Sequence, residues 1–292
     1  MPADRLFPDQ AEPKNWTAPQ TINLKPEHLP IMQTTPSTIP EILTLVDAGV
    51  MTLTINRLEK KNSLTAAMYA AMADALESAH HASNVRVLVI QGHESIFSAG
   101  NDIGDFLNHP PSGDDAPVFR FLRGISTFAK PIVAAVCGPA VGIGTTLLLH
   151  CDLVYAGDNA VFSLPFVNLG LCPEAGSSLL VPQRMGHARA AEALLLGEPF
   201  RAETALEMGL INRIVPPSEA NALALQQARK LVSKPLNALI ETKRLLKKSN
   251  ASAVAERMDE EGASFARMLT EPAAREAFAA FMGKRKPDFS AV

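Results

Sequence analysis

A glycine-rich turn between an apolar run and a short helix constrains this chain more than any other stretch. Residues 131–136 form a short, continuous apolar segment of small and β-branched residues, which is typical of a buried strand. Glycines and a proline crowd the next stretch, 137–146, so the chain is expected to turn tightly there. Residues 145–150 then predict a short buried helix. The sequence therefore predicts a strand, a glycine turn and a helix in direct succession.

The start of such a helix carries backbone N–H groups that have no acceptor within the helix. These groups and the helix dipole favour negative charge beside them. A turn of this kind can therefore stabilise an oxyanion that develops during a reaction.

A second stretch has the same character. Residues 85–92 predict a strand, 95–102 form another glycine turn, and 103–107 continue as an apolar helical segment. Either turn alone is more often a simple chain reversal. Two of them, each after a hydrophobic strand, can supply two converging backbone donors.

The two turns, and the strand after the second one, resemble the crotonase (enoyl-CoA hydratase/isomerase) superfamily. The resemblance rests on FSAGND at 97–102, GPAVGIG at 138–144 and CDLVYA at 151–156, and it extends from about residue 42 to residue 289. In that family the two turns form the oxyanion hole for the carbonyl of an acyl-CoA thioester. The resemblance implies that the backbone N–H groups of Asn101 and Ile143 are the two donors here.

The resemblance also implies the architecture and the binding site. The expected fold is α/β, a crotonase-like spiral of ββα units with a C-terminal helical region that builds a homotrimer or a hexamer. Basic residues near position 61 commonly lie beside CoA phosphates in the family, although a solvated loop explains Lys61 equally well. Phe281 and Lys284 are expected to reach the CoA of a neighbouring subunit. The other residues expected at the acyl-CoA are Lys61, Ser98, Ala99, Gly100, Asp102, Ile103, Gly142, Phe166 and Leu169.

Three regions are predicted along the chain. Residues 1–40 are proline-rich and lack glycine, which favours a disordered extension, although Trp16 can dock it on the body. We expect this extension to be dispensable for chemistry. Strands that alternate with helices in 41–233 predict an α/β core that holds the acyl-CoA site. Residues 234–292 form the predicted oligomerisation region, whose apolar faces need a partner surface and include Phe265, Met268, Phe278 and Phe281.

Local signals place the first elements. Two strands, 42–46 and 50–55, are joined by a hairpin signal. Ser63 is the predicted N-cap of a helix that runs to about His81. Asp102 is expected to cap the helix after the first glycine turn.

Composition argues against several other classes of protein. The net charge is −3, from 27 basic and 30 acidic side chains, so no nucleic-acid surface is expected. The 3 cysteines lack metal-ligand spacing and fit a reducing compartment better than a disulfide framework. Without a membrane-length apolar run, a secretory signal or a peroxisomal Ser-Lys-Leu ending, a cytoplasmic enzyme is expected. No metal and no cofactor are expected, because coenzyme A is part of the substrate.

The acids that hydratases of this family use are replaced here. Enoyl-CoA hydratases use two glutamates, and the corresponding positions hold Thr146 and Phe166, neither of which can act as a carboxylate base. One acid remains nearby. Glu174 lies in a segment, 163–178, that resembles the Δ3,Δ2-enoyl-CoA isomerase branch, in which the glutamate of a Pro-Glu-Gly-like segment is the single base. Ala175 stands where that segment has glycine.

Glu174 also has a purely structural interpretation, as an acid in the first turn of a helix. As a base in apolar surroundings it would have a raised pKa. His150, at the end of an apolar helix, is expected to be a core histidine rather than a catalyst. The apolar wall beside Glu174 is expected to consist of Phe166, Leu169 and Leu171.

The resulting hypothesis is the isomerisation of 3-enoyl-CoA to trans-2-enoyl-CoA. Glu174 would remove a proton from C2 and return it at C4, and the two turns would stabilise the dienolate between these steps. Alternatives with the same fold are an enoyl-CoA hydratase, a thioester hydrolase or a dehalogenase. An alternative of another class is a non-catalytic acyl-CoA-binding homologue, which turnover of 3-enoyl-CoA would exclude.

Overall fold

A computed structural model describes residues 39–111, 113 and 115–290 of the chain. The predicted N-terminal extension, 1–40, therefore lies almost wholly outside the described residues. The predictions that it is dispensable and that Trp16 docks it stay predictions.

The main sheet contains six strands. The first two form the predicted hairpin and pair antiparallel, and every other neighbouring pair is parallel. Residues Ala48 and Gly49 close the hairpin with positive φ, 45° and 83°. In spatial order the strands are β1 (Ile42–Asp47), β2 (Val50–Ile55), β3 (Val87–Gln91), β4 (Ile132–Val136), β6 (Leu153–Gly157) and β9 (Arg213–Val215).

A second sheet of three short strands begins within the second glycine turn. It consists of β5 (Pro139–Val141), β7 (Val161–Ser163) and β8 (Phe200–Arg201), in that order. Residues 160–164 predict a strand from the sequence, so β7 was the only one of the three that was expected. The sequence pattern shows neither β5, which lies within the glycine turn, nor β8, which has only two residues.

Helices follow or connect the strands, as the sequence predicted for an α/β chain. The N-cap of the first helix is Thr65, whose hydroxyl accepts from Met68 N–H, and not the predicted Ser63. The Ser63 hydroxyl instead bonds to the carboxylate of Asp102 at 3.2 Å. The helices are α1 (Ala66–His81), α2 (Ile103–Asn108), α3 (Pro117–Thr127), α4 (Ile143–Thr146), α5 (Ser177–Met185), α6 (His187–Ala191), α7 (Ala202–Glu207), α8 (Pro217–Val232), α9 (Leu236–Lys247), α10 (Ala251–Met268) and α11 (Pro272–Met282).

Both faces of the main sheet are buried, as is usual for parallel strands. Along β3, Leu88 and Ile90 belong to the large core that includes α1 and α3, whereas Val87 and Val89 face the other way. A smaller cluster covers that second face, and α8 contributes Ala224 and Ala228 to it. The ends of β3 and β4, where the glycine turns begin, therefore belong to a sheet that is packed on both faces.

The C-terminal helices pack on the core of their own chain. Phe278 is 4% exposed, and Phe265 and Met268 are partly buried against the core, so these three side chains do not need another subunit to cover them. Phe281 is 60% exposed and lies with other exposed apolar residues of this region. The predicted assembly therefore stays a prediction. Among the helices of the described residues, none has the length and apolar character needed to cross a membrane.

Candidate active site

The two predicted glycine turns pack directly against each other. Val141 N–H donates to the carbonyl of Ser98 at 2.9 Å, and Ser98 N–H donates to the carbonyl of Pro139 at 3.0 Å. A Cβ atom on Gly100 would lie 2.9 Å from the oxygen of Val141, and one on Gly144 would lie 2.9 Å from the oxygen of Ser98. Glycine is therefore required at both positions for the turns to meet.

Among the described residues, the backbone N–H groups of Asn101 in the first turn and of Ile143 in the second have no acceptor. The residues on either side of Asn101 both bond to Leu64: the Gly100 carbonyl accepts from Leu64 N–H, and Asp102 N–H donates to the Leu64 carbonyl. The N–H of Asn101 therefore points away from Leu64. Ile143 is the first residue of α4, so its N–H cannot bond within the helix. These are the two groups that the family resemblance implies as donors.

An ion pair secures the first turn. Asp102 accepts from the Arg57 guanidinium at 2.7 Å and caps α2 by accepting from Asp105 N–H at 3.0 Å, as predicted for a cap. Burial acts to raise the pKa of Asp102, but the hydrogen bonds from Arg57 and Asp105 outweigh it and bring the pKa below its usual value. Asp102 is thus an ionised structural group at neutral pH.

Hydrogen bonds of the Ser98 hydroxyl and of the Lys61 main chain also support the first turn. The Ser98 hydroxyl is buried, donates to the carbonyl of Asn62 at 2.9 Å and accepts from Gly100 N–H at 3.2 Å. Lys61 has a left-handed backbone, φ 52°, and its carbonyl accepts from Ala99 N–H at 3.0 Å. The exposed side chain of Lys61 is therefore anchored next to the turn through its own main chain.

Glu174 lies in the loop that precedes α5. Its Oε1 accepts a hydrogen bond from the hydroxyl of Thr146 at 2.5 Å. Burial raises the pKa of Glu174 to about 7; the Thr146 hydrogen bond acts to lower it, and the negative charge of Glu261 acts to raise it. No arginine or lysine among the described residues pairs with this carboxyl group. A carboxyl with such a pKa is close to half-ionised at neutral pH and can both accept and return a proton.

Two further side chains fix the backbone after Glu174. Ala175 has a left-handed backbone, φ 61°, and its carbonyl lies 2.8 Å from Nε2 of His150. Burial lowers the pKa of His150 to about 4, so the ring is neutral at neutral pH and its Nε2–H donates to that carbonyl. From α10, Glu261 accepts from the N–H groups of Gly176 and Ser178 at 2.6 and 2.8 Å. The prediction of a core histidine at position 150 is confirmed.

Two site residues were missed by reasoning from the sequence. Tyr69, on α1, donates from its hydroxyl to Oδ1 of Asn101 at 2.5 Å, and burial followed by the charge of Glu174 raises its pKa well above the usual value. Nothing in the sequence distinguishes Tyr69 from the other buried residues of its helix. Glu261 did leave a signal, because it stands between Met258 and Phe265 at the spacing of an apolar helix face.

A cavity of about 340 Å³ opens beside Tyr69. Its walls come from the start of α1, from α2 and from the loop before α3, and they are mainly apolar. Phe166 is 5% exposed and Leu171 is 3% exposed, and both belong to the core, whereas Leu169 is half-buried and packs against it. The cavity lining is Leu64, Ala66, Tyr69, Asp105, Phe106, His109, Pro110, Pro111, Ala116, Pro117 and Val118.

Comparison with known protein families decides the relationship. A sequence model described as "Enoyl-CoA hydratase/isomerase" matches residues 46–291. The chain belongs to the enoyl-CoA hydratase/isomerase family. The resemblance to the crotonase superfamily is thereby confirmed, and the chain is a family enzyme that acts on acyl-CoA thioesters.

Individual relatives of this family enzyme include isomerases and hydratases. It is 36% identical to 1,2-epoxyphenylacetyl-CoA isomerase of Escherichia coli, over 85% of this chain and 98% of that protein. It is 37% identical to enoyl-CoA delta isomerase 2 of Rattus norvegicus, over 71% of this chain but only 54% of that protein. This chain therefore spans about half the length of that second relative. A 2,3-dehydroadipyl-CoA hydratase of Escherichia coli is 32% identical over 98% of its length.

Solved structures confirm the fold of the family enzyme. Pseudomonas aeruginosa OdaA superposes with a TM-score of 0.82 and 46% identity, over 84% of this chain and 99% of that one. An enoyl-CoA hydratase/isomerase from Pseudoalteromonas atlantica gives a TM-score of 0.82 and 41% identity, over 86% and 100%. The predicted α/β crotonase fold with a C-terminal helical region is therefore confirmed.

Two sets of the predicted site residues lie in different parts of the chain. Ser98, Ala99, Gly100, Gly142 and Ile143 lie in or beside the paired turns, with Asp102 and Ile103 at the start of α2. Phe281 and Lys284 instead lie exposed at the end of α11. Their predicted contact with the CoA of a neighbouring subunit stays a prediction, as do the binding roles of the first group.

Proposed function

We propose that this family enzyme isomerises 3-enoyl-CoA to trans-2-enoyl-CoA, with Glu174 as its single proton-transferring group. The observation that carries the proposal is the contact between Thr146 and Glu174. Thr146 and Phe166 stand where hydratases have their two glutamates, and the contact with Thr146 supports Glu174 as one carboxyl group in place of two. Glu261 is the other acid whose charge acts on Glu174, and backbone N–H groups already occupy its oxygens.

The reaction would begin with removal of a proton from C2 by the Glu174 carboxylate. The electron pair of that C–H bond moves into a dienolate whose negative charge lies mainly on the thioester oxygen. The N–H groups of Asn101 and Ile143 would donate to this oxygen, and loss of one such donor typically costs about 3–4 kcal/mol. The protonated Glu174 would then return the proton at C4, which leaves the double bond at C2. The step needs no metal and no cofactor, and the CoA belongs to the substrate.

The substrate would lie across the two turns. We propose that Lys61 and, from a neighbouring subunit, Phe281 and Lys284 bind the CoA. The acyl chain would extend past the first turn and the apolar wall near Glu174. Ser98, Ala99, Gly100, Asp102, Ile103 and Gly142 would shape the turns, and Phe166 and Leu169 the wall.

Assembly and compartment belong to the same proposal. Exposed apolar side chains on α9 and at the end of α11 favour a homotrimer or a hexamer, because exposed apolar patches can mark an interface. These residues are Leu245, Leu246, Phe281 and Met282. We also propose a cytoplasmic location. Light scattering at micromolar concentration would contradict this assembly by finding a monomer, and unchanged CoA affinity in Lys284→Ala would remove Lys284 from the site.

A second candidate reaction is suggested by one relative. The chain matches 1,2-epoxyphenylacetyl-CoA isomerase over 98% of that protein, whereas it matches only about half of enoyl-CoA delta isomerase 2. Isomerisation of an epoxide of an aromatic acyl-CoA is therefore the alternative to test beside 3-enoyl-CoA. Products from a panel of 2-enoyl-CoAs, 3-enoyl-CoAs and this epoxide can be separated by mass and chromatography.

Glu174→Gln tests the assignment most directly. Glutamine keeps the shape and the hydrogen bond from Thr146 but cannot take up the proton. We expect normal acyl-CoA binding and isomerisation at least ~100-fold slower, the low end for removal of a general base. Glu192→Gln, at an exposed position on another helix, is the matched control. Near-wild-type isomerisation by Glu174→Gln, or hydration faster than isomerisation by the wild type, would show the assignment to be wrong.

A further inference from the structure

The turn that carries Glu174 is held by a side chain from a distant part of the chain. Glu261 lies on α10 and is 5% exposed. Its two carboxylate oxygens accept from Gly176 N–H at 2.6 Å and from Ser178 N–H at 2.8 Å. Gly176 and Ser178 stand at the beginning of α5, directly after Glu174. A buried acid thus uses both oxygens on the backbone of the turn that carries the proposed base.

The chemistry of this contact explains why an acid is buried there. The first N–H groups of α5 have no acceptors within the helix, so a carboxylate satisfies them and also interacts favourably with the helix dipole. Arg257 helps to hold the contact, because its guanidinium donates to the Ser178 hydroxyl at 3.2 Å. Burial raises the pKa of Glu261, and the hydrogen bonds from Ser178 and Gly176 and the charge of Arg257 act to lower it.

The same turn is held from its other side. His150 donates to the carbonyl of Ala175, while Glu261 accepts from Gly176 N–H, so the peptide group between Ala175 and Gly176 is held at both its C=O and its N–H. Ala175 and Gly176 both have positive φ, 61° and 72°. For alanine this backbone is uncommon, and it persists only where surrounding contacts enforce it.

We propose that Glu261 is a positioning residue for Glu174: it clamps the turn 174–178 to α10 and so keeps the Glu174 carboxylate at a fixed place beside the glycine turns. This inference rests on the proposed function, because it takes Glu174 to be the group that moves the proton. It assigns to a C-terminal helix a part in the reaction of its own subunit, in addition to its predicted part in assembly.

The charge of Glu261 provides a readout that a purely structural role would not give. Its negative charge acts to raise the pKa of Glu174. If Glu261 becomes neutral while the fold persists, the pKa of Glu174 falls, and Glu174 remains ionised at lower pH. The acid limb of the kcat/KM profile reports this pKa in the free enzyme.

The test compares Glu261→Gln with Glu256→Gln in the full chain. Glu256 is the matched control, because it is an exposed glutamate on the same helix, α10. For Glu261→Gln we expect kcat to fall about 10- to 100-fold, as a small misplacement of a catalytic group can cause. We expect KM to change less than about threefold, and the acid limb to move to lower pH. Hydrogen exchange of the amides in 174–178 should become faster, and Glu256→Gln should show none of these changes.

Glu261→Asp separates the clamp from the charge. Aspartate keeps the charge, but its shorter side chain cannot reach both N–H groups, so kcat should fall while the acid limb stays near its wild-type position. This variant also carries the test if Glu261→Gln does not yield folded protein.

The proposal is wrong if Glu261→Gln matches Glu256→Gln in kcat, in the acid limb and in hydrogen exchange while Glu174→Gln is inactive. Failure of the proposed function looks different, because Glu174→Gln would then remain active. In that case hydrogen exchange in Glu261→Gln still decides whether the clamp exists.

Discussion

Helices α9 and α10 each bring a charged side chain into the core, and the two sites differ in how that charge is compensated. On α9, Lys243 is 7% exposed and its Nζ lies 2.7 Å from Asp152, a cation against an anion. The same Nζ donates to the carbonyl of Lys130 at 2.8 Å. On α10, Glu261 instead lies near a second acid, Glu174, and backbone N–H groups are its direct partners.

The comparison separates two uses of a buried charge. A paired charge such as Lys243 with Asp152 joins α9 to the segments beside the strands. An acid without a cation, such as Glu174, has a raised pKa near 7 and can exchange a proton at neutral pH. The Lys243–Asp152 pair therefore contributes to holding the fold, whereas Glu174 is a carboxyl group that can exchange a proton.

The largest expected effect comes from breaking the pair. Asp152→Ala leaves the buried Lys243 ammonium without its anion and removes the acceptor of Ile132 N–H. We expect a loss of about 3 kcal/mol in the free energy of unfolding, the low end for a buried pair, because the Asp152 side chain is 25% exposed. Urea unfolding at one fixed protein concentration measures the loss.

Lys243→Met is the informative control for that variant. It leaves behind the more exposed partner, which water can solvate, so it should cost less than Asp152→Ala. Both variants should keep the kcat of the folded enzyme. A greater loss in Lys243→Met, or a collapse of kcat with the fold intact, would contradict the assignment of this pair to stability.

The next effect concerns the free energy of unfolding that burial of the Glu174 charge costs. Here the substitution is expected to stabilise the protein, not to destabilise it. With a pKa raised from 4.5 to about 7, Glu174 is protonated in both folded and unfolded chains below pH 4.5 and is ionised in both above pH 7. The folded state therefore carries the cost of the charge only as the pH rises through this window. At about 1.4 kcal/mol per pH unit, Glu174→Gln should be more stable than the wild type by up to about 3 kcal/mol at pH 8.

Thermal unfolding at pH 4.5 and pH 8 checks this expectation. The advantage of Glu174→Gln should shrink towards zero at the lower pH. An advantage that is equal at both pH values would mean that ionisation of Glu174 is not its cause.

The smallest expected effect concerns the Thr146 hydroxyl, whose hydrogen bond acts to lower the pKa of Glu174. Thr146→Val removes the donor to Glu174 while keeping the shape of the side chain, so the pKa of Glu174 should rise. We expect the acid limb of kcat/KM to move to higher pH by about one unit, the size of one hydrogen bond to a charged group. Thr146→Ser keeps the hydroxyl and should leave the limb in place. A limb that does not move in Thr146→Val would exclude the contact from the working enzyme.

Thr146 also shows where reasoning from the sequence stopped. The sequence identified it as the position of a missing hydratase glutamate and gave it no role. The structure places its hydroxyl on Glu174, which lies 28 residues further along the chain. A side-chain contact at that separation depends on how α4 and the loop before α5 pack, and no local pattern records it.

The C-terminal helices illustrate the same limit on a larger scale. Their apolar faces were visible as helical periodicity, and all of these helices are present. Periodicity does not say what covers a face, however. Phe265, Met268 and Phe278 pack on their own chain, while Phe281 stays exposed.

The sequence by itself determined the features that depend on local chemistry. Glycines between an apolar run and a helix specify the two turns, and alternating strands and helices specify an α/β chain. The family resemblance carried by these motifs implies that two acids are replaced and that Glu174 is the single candidate base. Only the tertiary structure decided what surrounds that base. The pKa near 7 and the contact of Glu261 with Gly176, 85 residues earlier in the chain, arise from burial and long-range packing. Those depend on the three-dimensional arrangement of distant segments, which residue types in a short window do not specify.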